Sequence, residues 1–393
     1  MSKMTINFNK PELSKIMAFL GPYIVSKMPV SMRIIKGGTL EFFATAGVAD
    51  GGSALVRVAC NKSTPVMSWK QVDGQTLQGV VANADDGVIS FNFGNTALTI
   101  KCAPRTTNEL IYINIRGWSD LPFVEPASSI NGKDLNMIAM MTETASTDEA
   151  RPGLNGIFVA ASKKKIEAAA SDGFCLSFAT IKAMEEIESP GALYSVKGLN
   201  RAKRALKAAD DEDLKIGFTL ELSKETEKKN FVPGFVLSLT REEVQALFHV
   251  PQMSGSFPDY KAITKSAPKG ISVEIETSAM NSLLKRASAI EGSIFFQVVN
   301  GFLWFMAANE STQQKCVDSL AVDIQGESAV MHYAPSLLKD TLKACAANGK
   351  IKLTFPAVSN APMLFEGHAA VIAMPLANQL KESPFKNLQP ALI

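Results

Sequence analysis

Groups that could act as nucleophiles, acids or metal ligands are scattered along this 393-residue chain. The three histidines, His249, His332 and His368, stand at no metal-ligand spacing from one another or from a cysteine, and no glycine-rich loop of the phosphate-cradling kind leads into a helix. Cys175 follows a sharp turn, but a thiol attacks only when a neighbour lowers its pKa or takes its proton, and the sequence puts no histidine beside it. The carboxylate cluster Asp210-Asp211-Glu212-Asp213 follows a helix end and reads as a solvated turn. The expectation is a protein that is not an enzyme, with no metal and no cofactor.

Two other patterns carry the chemistry of association. One is positive charge on a helix face. At 100° per residue Lys197, Arg201 and Arg204 fall within about 60° of one another, while Leu199, Ala202, Leu206 and Ala209 occupy the opposite side. Lys339 and Lys343 repeat this at i, i+4, and Lys285 with Arg286 charges another helix. Helices apolar on one side and basic on the other attract phosphates without reading bases, although any single basic face is ordinarily just solvated surface. The second pattern is the turn Ser171-Asp172-Gly173-Phe174-Cys175-Leu176, with Leu154-Asn155-Gly156 one hairpin upstream. An Asp-Gly step between runs of apolar alternation marks a tight turn with glycine at positive φ, the frame of a small docking pocket.

With 46% apolar residues and slightly positive mean hydropathy, the chain has enough apolar surface for packed cores in about two to four domains. No apolar run approaches the roughly 18–20 residues needed to span a bilayer, and residues 1–24 lack the apolar core of a signal peptide, so a cytoplasmic location is expected. Cys60, Cys102, Cys175, Cys316 and Cys345 form no CxxC pair and are odd in number, which suits reduced thiols better than a disulfide framework. The net charge of +2 says little, because nucleic-acid binding depends on where the basic residues cluster.

The elements that must position these groups repeat. Leu13, Ile16, Met17 and Leu20 fall at i, i+3, i+4, i+7, as do Leu135, Ile138, Ala139 and Thr142, and then Met280, Leu283, Leu284 and Ala287. Start signals precede each helix: Asn9 with Pro11, Asn131 with Gly132, and Thr277 or Ser278. A second helix is expected in each unit, over 68–79 (weakened by Gly74), 196–209 and 335–347, the last ending at Asn348-Gly349. Alternating segments between them, at 39–46, 54–60, 88–93, 97–102, 295–299 and 302–307, read as antiparallel strands joined by turns such as Asn300-Gly301. The result is an α+β fold of three repeated domains, each with two helices packed on antiparallel sheets of about eight strands. Breaks at Asp120-Leu121-Pro122 and Pro258-Asp259 place boundaries near Phe123 and Tyr260, giving domains at 1–123, 124–260 and 261–380 and an extension at 381–393. The hydrophilic stretch 223–230 is an expected loop insertion.

Four stretches point to one family. Leu154-Asn155-Gly156, the 171–176 turn, Phe257-Pro258-Asp259-Tyr260 and Ile372-Ala373-Met374-Pro375-Leu376 resemble segments of bacterial DNA polymerase III beta subunits, the sliding clamps. In that family a Leu-Asn-Gly strand is followed by a Thr-Asp-Gly-His-Arg-Leu turn. The resemblance can be followed over 4–376 and is faint in the first hundred residues. It implies the DNA clamp fold and a ring-forming head-to-tail homodimer that encircles double-stranded DNA without regard to sequence. Such a clamp tethers the replicative DNA polymerase for processivity and is opened by a clamp loader.

By position, the resemblance assigns a partner-peptide pocket to Leu154, Ser171, Gly173, Phe174, Cys175, Leu176, Pro258, Ile263, Ile372, Ala373, Met374, Pro375 and Leu376. It makes Lys197, Arg201, Arg204, Lys285, Lys339 and Lys343 DNA-facing, and sets Ile111 and Ile113 against Ala289 and Ile290 across the dimer interface. The chain departs from the family at Phe174 and Cys175, which replace His-Arg, at Pro152-Gly153, where many clamps have two aromatics, and in its near-neutral charge. The competing reading is a monomeric clamp-derived module that binds peptides or inhibits without encircling DNA. Beyond Leu376 the chain continues through Gln379, Leu380 and Phe385, a sequence that imitates a pocket ligand and suggests self-occlusion.

Overall fold

The computed structural model describes residues 4–26, 28–47, 51–102, 106–113, 126, 128–207, 213–218, 233–241, 243–266, 268–290, 292–309, 311–324, 326–345, 349–377 and 383–385. The loop insertion at 223–230, the Asp120-Leu121-Pro122 step, Phe123, Ala209, Asp210, Asp211, Glu212, Asn348, Gln379 and Leu380 lie outside them. Seven α-helices occur among the described residues: α1 (Lys10–Leu20), α2 (Gly74–Ala82), α3 (Gly132–Met141), α4 (Val196–Ala205), α5 (Tyr260–Lys265), α6 (Thr277–Ser288) and α7 (Pro335–Ala344). Eight strands lie within 4–111, eight within 128–253 and eight within 270–373, so the expected repeat of elements is present and the class is α+β.

Contacts divide the chain into two compact units. The first comprises 1–136, 160–166 and 181–254. One sheet in it orders Met4–Asn9, Val88–Phe93, Ala97–Cys102 and Thr106–Ile111, all antiparallel, with the last strand at the edge. A second series runs Met67–Asp73, Pro29–Ile35, Thr39–Thr45, Ser53–Ala59, Val244–Met253, Gly234–Arg241, Asp213–Phe218, Ser128–Asn131. Helix α1 buries the predicted stripe of Leu13, Ile16, Met17 and Leu20, and Phe8, Phe42 and Phe91 pack as tilted and edge-on rings. Within the Thr39–Thr45 strand the buried Glu41 carboxylate is held between its cross-strand neighbours, with Arg33 Nε at 2.5 Å and Arg57 Nε at 3.0 Å. Such a charge is tolerated inside only because it is paired on both sides.

The helix expected over 68–79 is corrected. Met67–Asp73 is a strand, and the helix starts at Gly74, where Asp73 Oδ1 accepts from the Thr76 amide at 2.7 Å as an N-cap. Gly74 opens this helix and does not break it. A Cβ there would stand 2.9 Å from Ile24 Cγ2, so the glycine answers a packing demand invisible in the local sequence.

The second unit comprises 137–159, 167–180 and 255–393. Its sheets order Gly270–Glu276, Lys350–Pro356, Met363–Glu366, Ala370–Ala373 and Cys175–Lys182 in one series, and Gln314–Ala321, Phe302–Asn309, Ser293–Val299 and Met331–Tyr333 in another. Strand residues Ile294, Phe296, Val298, Leu303, Phe305 and Ala307 share a core with Met280, Leu283, Leu284 and Ala287 of α6 and with Leu338 and Leu342 of α7. Asn300 and Gly301 both take positive φ, 50° and 77°, as the two-residue hairpin turn requires. Strands Ile157–Ser162, Lys165–Ser171 and Cys175–Lys182 contribute residues to both units.

Candidate partner-docking site

All thirteen residues assigned to the pocket belong to the second unit. The turn that presents them is built by two side chains. Asp172 Oδ1 accepts from the Phe174 amide at 2.8 Å and the Cys175 amide at 2.7 Å, Gly173 turns at φ 94°, and Ser171 Oγ donates to the Cys175 carbonyl at 2.6 Å. Ser171 is therefore occupied in closing the turn. Leu154 lies against it, because a Cβ on Gly173 would meet Leu154 Cδ1 at 4.0 Å and Arg151 Nη1 at 3.4 Å.

The loop bearing Leu154 is fixed by a second glycine contact. A Cβ on Gly153 would stand 2.6 Å from the Ser256 carbonyl oxygen, and one on Gly255 would stand 2.9 Å from that of Pro152. The 151–155 loop and the segment leading to Pro258 thus meet backbone to backbone, which only glycine permits. From there Asp259 caps α5 by accepting from the Lys261 amide at 3.2 Å. Tyr260 packs with Leu176, Ala169, Phe158, Phe178 and Phe257, Phe158 and Phe257 stacking at 5.5 Å. Burial, with Glu167 beside it, pushes the Tyr260 hydroxyl up to about 12. Ile263 stands exposed three residues further along this helix.

The last strand completes the arrangement. Ala370–Ala373 pairs antiparallel with Cys175–Phe178, setting Cys175 opposite Ala373 and Leu176 opposite Ile372. The Met374 amide then donates to the Phe174 carbonyl at 2.8 Å, and the Leu376 amide to the His332 carbonyl at 2.8 Å. The assigned residues accordingly separate into a floor and a rim. Leu176 (5% exposed), Cys175, Ile372 and Ala373 are core, and the Cys175 thiol, pushed up to about 12 by burial, bonds Thr341 Oγ1 at 3.4 Å. Phe174 (61% exposed), Met374, Leu376 and Ile263 are exposed large apolar side chains. Exposed apolar groups on a frame this tightly bonded can take hydrophobic anchors of an extended peptide.

The basic faces are less uniform than their spacing suggests. Ser195 caps α4 by accepting from the Gly198 amide at 3.0 Å, and Lys197 and Arg204 are exposed on the helix. Arg201 is half-buried, and its Nη1 donates to the Gly51 carbonyl at 3.3 Å. On α7, Lys339 is exposed, but Lys343 pairs with Glu143 at 2.8 Å and lies 3.7 Å from Asp340. The Glu143 hydrogen bond holds the Lys343 ammonium above its usual pKa. Lys285 is exposed on α6, while its neighbour Arg286 pairs with Asp318. Ile111 is 75% exposed at the end of the edge strand Thr106–Ile111, and Ile113 is exposed just beyond it. Ala289 is exposed after α6, and Ile290 packs partly on the core.

Two features escaped the sequence. An open groove of about 750 Å³ in the first unit is lined by Glu12, Lys15, Asp86, Arg241 and Glu243, and holds none of the assigned residues. In the second unit Phe385 is buried against Trp304 and Val330, apart from the Leu176 cluster, so the described part of the tail does not rest on the expected pocket floor. The signal was present in the outward-facing aromatics at 295, 302 and 304, which alternate with core residues yet are not polar.

Residues 130–244 match the family described as DNA polymerase III beta subunit, central domain. Three solved structures share the fold over nearly the whole chain. The Pseudomonas aeruginosa DNA polymerase III subunit beta superposes with a TM-score of 0.75 at 17% identity, covering 95% of this chain and 100% of that one. The Thermotoga maritima beta subunit gives 0.73 at 18%, covering 95% and 99%, and the Helicobacter pylori beta clamp 0.73 at 14%, covering 95% and 100%. No curated protein matches the sequence.

Proposed function

We propose that this chain, which carries a DNA polymerase III beta subunit central domain within a sliding-clamp fold, works as a DNA sliding clamp. Two copies join head to tail around duplex DNA, and the closed ring tethers a replicative polymerase, with a loader opening it. Residues 1–123, 124–260 and 261–380 are its three clamp domains. Lys197, Arg204, Lys285 and Lys339 offer phosphates a diffuse attraction, while Arg201 and Lys343 contribute through charge they share with the protein itself. The edge strand ending at Ile111 meets the Ala289–Ile290 corner of a second copy, which hides an edge that would otherwise invite pairing. It acts without catalysis and in the cytoplasm.

The observation that carries the reading is the rim: Phe174, Met374 and Leu376 stay exposed on a frame whose amides at 174, 374 and 376 are all bonded, where a partner's hydrophobic anchors would dock. The test is retention on DNA. After loading, the protein should stay on closed circular DNA in moderate salt and run off once the circle is cut, because a topological link does not depend on counterions. Equal loss from both forms would end the clamp reading. Sedimentation should give a mass near twice 42.2 kDa, and Ile111→Asp should give a folded monomer. A parent protein that sediments as a monomer would favour the peptide-binding module.

A further inference from the structure

The four-stranded sheet of the second unit has two apolar faces, and its helix-covered face accounts for only one. On the other face cross-strand pairs set Phe295 beside Met306, Gln297 beside Trp304 and Val299 beside Phe302. These residues and Val330 form a seat, and Phe385 fills it: its ring is 1% exposed and stacks on Trp304 with centroids 6.3 Å apart at 27°. The seat also has a polar reader. Gln297 is 2% exposed, and its Nε2 donates to Glu327 Oε1 at 2.9 Å and to the Ser328 carbonyl at 2.7 Å. Both partners are acceptors, so the amide is oriented with its oxygen outward, and that oxygen accepts from Ser383 Oγ at 2.5 Å. The Phe385 amide in turn donates to Ser383 Oγ at 3.2 Å, and Pro384 between them restricts the backbone.

We propose that this face is a second peptide-binding site, distinct from the Phe174–Met374 rim, that takes a hydroxyl residue followed two positions later by an aromatic ring, and that Ser383-Pro384-Phe385 is its resident ligand. The recognition has two parts. The ring fills an apolar seat, and the hydroxyl satisfies a buried amide oxygen that would otherwise lose its partner. Because the resident is tethered to the same chain, an external peptide of the same chemistry meets it at high effective concentration and binds only when it lets go.

The experiment uses the full-length chain and a fluorescent peptide of residues 380–388. By anisotropy the peptide should bind the Phe385→Ala chain at least tenfold more tightly than the parent, and a peptide with alanine in place of phenylalanine should bind neither. Ser383→Ala keeps the ring and loosens the latch, and should raise peptide affinity severalfold. Hydrogen exchange on the unaltered chain should show a protected Phe385 amide. Equal affinity for parent and Phe385→Ala, no binding to a Phe385→Ala chain that still unfolds in one cooperative transition, or a Phe385 amide exchanging at the free-peptide rate would each overturn the proposal.

Discussion

Two apolar surfaces of the second unit meet the same physical demand in opposite ways. On the sheet face around Trp304 the protein covers its own aromatic groups with Phe385, and of the large apolar side chains there only Val317, beside Met306, is exposed among the described residues. At the end of the Cys175 strand, Phe174, Met374 and Leu376 are left uncovered, although a tail lies within the same unit. Burying such side chains is worth roughly 1.5–3 kcal/mol each, so leaving several exposed costs stability that a purely structural surface has no reason to forgo. The contrast singles out the rim as the place where a partner is expected.

The comparison can be broken at several points. The largest effect is expected at the seat: Trp304→Ala removes a large buried ring and should lower unfolding stability by roughly 3–5 kcal/mol in urea titrations, and a loss below about 1 kcal/mol would mean the seat is not packed. Phe385→Ala empties the seat from the tail side and should cost less, at most about 1.5–3 kcal/mol, since the tail forfeits its ordering entropy cost at the same time.

A smaller and pH-dependent loss should come from the floor beneath the rim. The Cys175 thiol and the Tyr260 hydroxyl are both pushed up to about 12, so in the folded chain they keep protons that the unfolded chain gives up from about pH 9 or 10. Folded-state pKa values above the unfolded ones mean full stability below pH 9 and a decline toward pH 12. Thermal melts from pH 7 to 11 should therefore slope downward above pH 9, less steeply in Cys175→Ser than in the parent, and an equal slope in the two would show that the floor is wet. Least of all should stability respond at the rim. Phe174→Ser and Met374→Ser should shift unfolding by no more than about 0.5 kcal/mol, yet weaken a peptide bearing Gln, Leu and Phe anchors about tenfold, or about 1.4 kcal/mol. A large stability loss with unchanged peptide affinity would reverse the roles assigned to the two surfaces.

Much of this was legible in the residues. Helices α1, α3 and α6 were readable because their apolar positions recur at helical spacing, and Asn300-Gly301 and Asp172-Gly173 because turns of that geometry need glycine. What stayed hidden depended on partners distant in the chain. Alternation placed Leu176 and Ile372 on strands, but only their pairing made them floor instead of lining. The Lys343 ammonium read as a bare positive charge because Glu143, 200 residues earlier, could not be seen beside it. Gly74 read as a breaker because Ile24 was out of view, and Phe385 read as pocket mimicry because the outward aromatics that seat it stand far earlier in the chain.

The bonding around Phe174 restricts how anything can be recognised there. Its amide is given to Asp172, its carbonyl receives Met374, and the Cys175 amide shares the same Asp172 oxygen. On the facing segment the Met374 and Leu376 amides are both committed, and Pro375 between them has none. A peptide arriving at this rim therefore finds no donor along 374–376 with which to extend the sheet. A ligand carbonyl opposite this segment has no amide to accept from, so selection there falls to the shapes of side chains and to whatever the segment's own carbonyl oxygens can accept.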